Sequence, residues 1–155
     1  MERSLVILKP DAIQRRLIGS ILARFEAKGL KIVALRLCRL TNQQTDNLYS
    51  VHKGKKFFEP LVRFMQSGPV AVMALEGPRA VAVTRKLLGE TFGFEASPGT
   101  IRGDFGLSRG YNLVHGSDSV ESATRELAVF FKEADYLAYE LSEAPWAFNP
   151  AEDLN

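Results

Sequence analysis

The spacing of apolar residues switches between two periods along this chain, and the order of the switches limits the folds open to it. Residues 4–8 are a short apolar run halted by Lys9-Pro10-Asp11, with the length and β-branched content of a buried strand. Ile18, Ile21, Leu22 and Phe25 then recur at i, i+3, i+4 and i+7, the stripe of an amphipathic helix, and Gly29 is suited to end it. Residues 30–40 return to strand spacing, with Val33, Leu35 and Leu37 expected on one face. Thr41 and Gln44 have capping-box spacing and open a helix expected to run through about Val51. A second short helix is expected over 57–66, stopped by Ser67-Gly68-Pro69, and a third strand over 70–75. Pro78 and Gly89 bracket another helix. Residues 90–110, carrying Gly93, Gly99, Gly103, Gly106 and Gly110, read as a long loop. A fourth strand follows at 112–115, then a helix with Val120, Ala123, Thr124, Leu127, Ala128 and Phe131 on its apolar stripe.

Without the helical insert between the second and third strands, this order is βαββαβ. The predicted class is α+β: a ferredoxin-like antiparallel sheet with helices on its faces. Residues 1–141 are expected to form one domain. Residues 142–155 lack periodicity and read as a tail, or as an arm on a neighbouring subunit. A chain of 155 residues suffices for one domain with a real core. The net charge of +2 is too small to argue for nucleic acid or an anionic membrane as partner. Cys38 is the single cysteine, so no internal disulfide forms, which is compatible with a reducing compartment. No apolar segment has signal-peptide or membrane-spanning length, and a cytoplasmic location is expected.

The densest group of reactive side chains is Asn112-Leu113-Val114-His115-Gly116-Ser117-Asp118-Ser119. Neutral imidazole is a competent nucleophile near pH 7, provided an acceptor fixes its other nitrogen. Asp118, Ser122 and Glu126 are spaced by four, which places them along one helical face, and Glu126 is the candidate to reach back to the ring. Read alone, His115 is either such a nucleophile or an ordinary histidine satisfied at a strand end. The segment 98–106 offers glycines for close backbone approach and Arg102 as a planar fork for phosphate oxygens, or else a surface loop with Arg102 solvated or paired to Asp104. Lys9, Arg85 and Thr91 are ambiguous singly. Phe57-Phe58, after a basic stretch, is either a base platform or half core. No Walker-type phosphate loop and no dinucleotide fingerprint occur, and two histidines without a Cys/His cluster give no zinc site.

Taken together, Leu8-Lys9-Pro10-Asp11, Phe57-Phe58, Gly89-Glu90-Thr91, the run 98–105 and the run 112–119 resemble the nucleoside diphosphate kinase family, over about residues 1–139. The resemblance implies a ping-pong transfer in which His115 briefly carries the phosphate between nucleoside tri- and diphosphates. It further implies that Lys9, Tyr49, Arg85, Thr91, Arg102 and Asn112 contact phosphates or sugar. Phe57 would stack on the base, and Ser117 and Glu126 would support the histidine. Mg²⁺ would arrive on the nucleotide, with Asp118 a water-mediated ligand. Members assemble as hexamers, tetramers or dimers, so a homo-oligomer is expected. Two departures stand out: Phe92-Gly93 replaces the usual Asn-Pro after Thr91, and Arg109 stands where a small apolar residue near the base is common. They bear on base preference and turnover.

Two other classes fit parts of the pattern. RNA-recognition modules share the βαββαβ order, but they stack bases on strand aromatics, and residues 5–8 and 70–75 contain none. An inactive relative kept as an interaction subunit need not retain the whole phosphate-facing set, which is complete here.

Overall fold

The computed structural model describes residues 1–154. Strands β1 (Glu2–Leu8), β2 (Lys31–Cys38), β3 (Val70–Gly77) and β4 (Val114–Gly116) form one sheet of order β2-β3-β1-β4. Every neighbouring pair is antiparallel, as the ferredoxin-like expectation requires. Helices α1 (Pro10–Gln14) and α2 (Ile18–Ala27) join β1 to β2. The insert before β3 holds α3 (Asn42–Leu48), one 3-10 turn at Ser50–His52 and α4 (Phe58–Gln66). Helices α5 (Ala80–Leu88) and α6 (Ile101–Phe105) lead to β4, and α7 (Val120–Phe130) follows it. The tail carries α8 (Ala144–Ala147) and α9 (Pro150–Asp153).

Helices cover both faces of the sheet, so its central strands are apolar on both sides. Leu5 and Ile7 of β1 face a core shared with Leu48, Met65, Leu127 and Phe130. Val6 and Leu8 face the opposite core, with Phe25, Leu88, Ile101 and Leu113. All four β1 side chains are fully buried, each contributing about 1.5–3 kcal/mol of transfer free energy. The capping box is present in full: Gln44 N–H donates to Thr41 Oγ1 at 3.1 Å, and Thr41 N–H donates to Gln44 Oε1 at 3.0 Å. Gly29 has φ +87°, the left-handed end expected after α2.

Several sequence expectations are corrected. First, Val33, Leu35 and Leu37 do not share a buried face: Val33 is buried, whereas Leu35 and Leu37 are 53% and 63% exposed. The pairing of β2 with β3 slips between Ile32 and Ala34, so Val33 and Ala34 enter the same core and the later residues change face. Second, α3 ends at Leu48, and the 3-10 turn takes over to His52. Third, the loop at 90–110 contains α6, capped by Thr100, whose Oγ1 accepts from Gly103 N–H at 3.0 Å. Gly103 is required there because a Cβ would strike the Ser97 carbonyl. Fourth, the buried face of α7 is Ala123, Glu126, Leu127 and Phe130, while Val120, Thr124 and Ala128 are exposed. Phe131 is also buried, just past the end of that helix. Asp118 precedes the Ser119 cap, so it is not on the helix with Ser122 and Glu126.

The segment after α7 runs back along β2: Leu137 N–H donates to the bulged Val33 carbonyl at 2.8 Å, and the Tyr139 hydroxyl donates to Ile32 O at 2.7 Å. Beyond it the tail lies on its own chain. A Cβ on Gly29 would sit 3.2 Å from Ala147 Cβ, and Arg79 pairs with Asp153 at 2.8 Å. Trp146 is 91% exposed. Among the described residues, no helix is long and apolar enough to cross a membrane.

Candidate functional site

The short strand β4 carries the site. Its pairing opposite β1 (Val6 with Gly116, Ile7 with His115, Leu8 with Val114) sends Val114 into the core with Leu88 and Leu113. Strand alternation therefore turns His115 to the other face, under α7. A Cβ on Gly116 would come within 2.7 Å of Leu88 Cδ1, so that leucine side chain would have to shift to admit one.

His115 Nε2 lies 3.1 Å from Glu126 Oε2, and the Ser117 hydroxyl donates to the same oxygen at 2.7 Å. Ser117 is held in turn by Leu5 N–H, which donates to its Oγ at 3.3 Å. Burial pushes the Glu126 carboxyl up, but the bonds from His115 and Ser117 and the nearby Arg125 outweigh it and hold the group below its ordinary value. An ionised Glu126 only accepts, so Nε2 bears the ring proton and Nδ1 keeps its lone pair. Tyr49, at the end of α3, meets the His115 ring edge-on at 6.1 Å between centroids. Its hydroxyl is buried without a hydrogen-bond partner, and burial, with Glu126 nearby, pushes its pKa up.

A second group forms around Asn112. Lys9 Nζ donates to Asn112 Oδ1 at 2.7 Å, and Asn112 Nδ2 donates to the Thr91 carbonyl at 2.9 Å. Arg102 is 3% exposed. Its guanidinium donates to the carbonyls of Asn112 (3.2 Å), Gly89 (3.0 Å) and Val114 (2.7 Å). Most of its donors are thus spent on backbone, and it cross-braces the loop before β4 against the end of α5. Burial, then the charge of Arg102, pushes Lys9 down to about 8, against the opposing pull of Asp11. Burial, then Arg85, takes Arg102 down to about 10.

Arg85 is exposed at the end of α5, without an ion pair among the described residues, and its charge acts on both Arg102 and Asp118. Asp118 is held low by a hydrogen bond from Ser122 and by the charges of Arg85 and His115, against some burial. Phe57 caps α4 and is 49% exposed. Its ring meets His52 at 5.2 Å, and His52 stacks on Tyr49 at 6.4 Å. Burial first, then the charges of Lys55 and His115, push His52 below its ordinary value.

The predicted residues therefore converge through two hydrogen-bonded groups, one at His115 and one at Asn112, with Phe57 and His52 at the rim. Thr91 is tied in through its carbonyl. Two contributors escaped the sequence reading. His52 was noted only as a second histidine, although its spacing from Tyr49 places both rings on one turn. Asp11 enters there as a strand stop and as part of the Leu8-Lys9-Pro10-Asp11 motif, without a role of its own, and its side chain accepts from Leu113 N–H at 3.1 Å.

The family model for nucleoside diphosphate kinase matches residues 2–136. The chain belongs to the nucleoside diphosphate kinase family. It is accordingly a phosphotransferase. A nucleoside diphosphate kinase from Staphylothermus marinus is 54% identical over 136 residues, spanning 88% of this chain and 96% of the relative. One from Carboxydothermus hydrogenoformans is 47% identical and spans 96% of this chain and 99% of its own. Among solved structures, the halophilic nucleoside diphosphate kinase of Halobacterium salinarum in complex with CDP superposes with a TM-score of 0.93 at 41% identity, covering 96% of this chain and 99% of its own.

Proposed function

We propose that this nucleoside diphosphate kinase moves the terminal phosphate of a nucleoside triphosphate to a nucleoside diphosphate by a ping-pong route through His115. The observation that carries this reading is the Glu126–His115 bond, which commits Nε2 to a carboxylate and leaves Nδ1 with its lone pair. In the first half-reaction Nδ1 attacks the γ-phosphorus, the bond to the bridging oxygen breaks, and the diphosphate leaves with that electron pair. In the second, the terminal oxygen of an acceptor diphosphate takes the phosphoryl group and the lone pair returns to Nδ1. Such transfer needs alignment and charge neutralisation more than proton traffic.

Lys9, Arg85 and Asn112 are suited to the phosphates and sugar, with the Thr91 hydroxyl beside them. Arg102 keeps a smaller share of donors for ligand and otherwise braces the wall. Phe57, half exposed at a helix start, suits a base stacked on its face without choosing among bases. No group of three or more metal-ligating side chains occurs among the described residues. A lone ionised Asp118 near the site fits Mg²⁺ carried by the nucleotide and held through water, where the ion would neutralise phosphate charge.

We further propose a homo-oligomer. Exposed Leu35 and Leu37 on the sheet-edge strand β2, with Trp146 on the tail, are apolar surface that a second copy would cover. Whether the assembly is a hexamer, tetramer or dimer is for light scattering to decide. Division into a 1–141 domain and a 142–155 tail, a cytoplasmic location and the absence of a nucleic-acid partner complete the reading.

The test is to mix the protein with γ-labelled ATP and Mg²⁺ without acceptor. Acid-labile label on the wild type, absent from His115→Ala and discharged by GDP, is the expected result. Well-folded wild-type protein that takes no label overturns the reading.

A further inference from the structure

Among the described residues, Leu113 is one of three non-glycine residues with positive φ, at 71°. Val114 N–H donates across it to the Asn112 carbonyl at 2.8 Å. A hydrogen bond from residue i+2 to residue i over a central residue of this φ is the rare, strained form of γ-turn. Its side chain is buried without exposure, so the turn cannot relax into solvent. This turn lies between the two working groups, with Asn112 before it and His115 two residues after.

Both ends of Leu113 are held from the start of α1. Lys9 N–H donates to Leu113 O at 2.8 Å. The Asp11 carboxylate accepts from Leu113 N–H at 3.1 Å through Oδ2, while its Oδ1 is buried without a hydrogen-bond partner. Lys9 then reaches Asn112 with its side chain, and Arg102 grips the carbonyls on both sides of Leu113. Of these clamps, Asp11 is the one that bonds the N–H of the strained residue itself. An extended backbone at Leu113 would break that bond, and persistent strain requires surroundings that over-determine it.

We propose that Asp11 is a positioning residue for phosphoryl transfer: its carboxylate fixes the γ-turn at Leu113 and thereby sets the distance between the phosphate-facing pair Lys9–Asn112 and the nucleophile His115. This rests on the reading of His115 as phosphate carrier. Asp11 touches no reacting atom. Phe57, Arg85 and Thr91 are not tied to Leu113, so nucleotide is still held when the turn relaxes, and alignment is what is lost.

The experiment compares wild type, Asp11→Asn and Asp11→Ala at pH 7, following kcat and KM for transfer from ATP to GDP, formation of labelled enzyme, and melting. Asn keeps an oxygen for Leu113 N–H, and Ala keeps none. Asp11→Ala is expected to lose about 10- to 100-fold in kcat, the cost of a small misplacement, with KM within about 3-fold of wild type. Asp11→Asn is expected to keep kcat within about 3-fold, though it melts lower because its amide N–H₂ enters the site where Oδ1 has no partner. A folded Asp11→Ala with wild-type kcat, or with the loss confined to KM, overturns the proposal. So does an Asp11→Asn that is as slow as Asp11→Ala. Should Asp11→Ala fail to fold, the Asn variant decides alone: retained kcat supports the acceptor role and a loss of about 10-fold or more overturns it. Wild type without label or turnover is a different result, and it removes the phosphohistidine reading itself.

Discussion

Glu126 Oε2 accepts from both His115 Nε2, at 3.1 Å, and the Ser117 hydroxyl, at 2.7 Å, so one buried carboxylate oxygen fixes ring tautomer and ring plane together. Glu126→Gln keeps size and hydrogen-bonding capacity but removes the charge that favours a proton on Nε2. Labelling of His115 is expected to slow by about 10-fold or more, because the ring loses the charge that orients it. Nucleotide affinity is expected to stay within about 3-fold, because none of the phosphate-facing groups bonds to Glu126. Stopped-flow labelling and equilibrium binding measure the two separately, and equal losses in both would contradict the division of roles.

Thr41 and Gln44 satisfy each other's backbone N–H groups at the start of α3, the helix that Tyr49 caps at its far end. Thr41→Ala removes one acceptor and is expected to cost about 1 kcal/mol. In a chain of this size that lowers the melting temperature by about 2–4 °C. An unchanged melting temperature in calorimetry would mean that tertiary packing alone holds α3.

Gly93 replaces part of the usual Asn-Pro after Thr91, and its place is filled by backbone. A Cβ there would stand 2.5 Å from Gly106 C and 2.6 Å from Gly106 O. The same loop carries the Arg109 guanidinium over Phe92 at 5.0 Å, so the loop's two departures from the family pattern meet on one ring. Backbone cannot swing away as a flexible side chain can, and Gly93→Ala is expected to cost about 1–3 kcal/mol by overpacking. A fall in urea midpoint with unchanged slope would match this, and a wild-type midpoint would show that the loop gives way freely.

The fold was legible where local chemistry and periodicity agree. The capping box, the Gly29 stop and the unbroken apolar run that buries β1 on both faces all follow from residue type and spacing. The face of α7 was misread because apolar counting cannot see a buried glutamate. Glu126 is buried there, satisfied by His115 and Ser117. Leu35 and Leu37 were misplaced by one bulge at Val33, which a strict period of two cannot anticipate. In the site, the contact between His115 and Glu126 was legible from their spacing. The bracing role of Arg102 was not, since its acceptors are backbone carbonyls at Gly89, Asn112 and Val114.

Lys9 links function and stability through one proton. Burial, with Arg102 adding to it, takes its pKa from an ordinary 10.5 to about 8. Below pH 8 both folded and unfolded chains hold the proton, and the fold bears the full cost of a buried cation, about 3.5 kcal/mol at roughly 1.4 kcal/mol per pH unit. Between pH 8 and 10.5 the unfolded chain keeps a proton that the folded chain has released, so this cost falls as pH rises. Activity should move the opposite way, since a neutral Lys9 no longer attracts phosphate. The expected outcome is a kcat/KM that declines above about pH 8, alongside a wild-type melting temperature that gains on Lys9→Gln over the same range. The Gln variant supplies the baseline because it retains a donor for Asn112 but no charge. A flat kcat/KM from pH 7 to pH 9.5, or a gap in melting temperature that does not change with pH, would show that Lys9 stays charged throughout and that the Asp11 carboxylate, rather than burial, governs it.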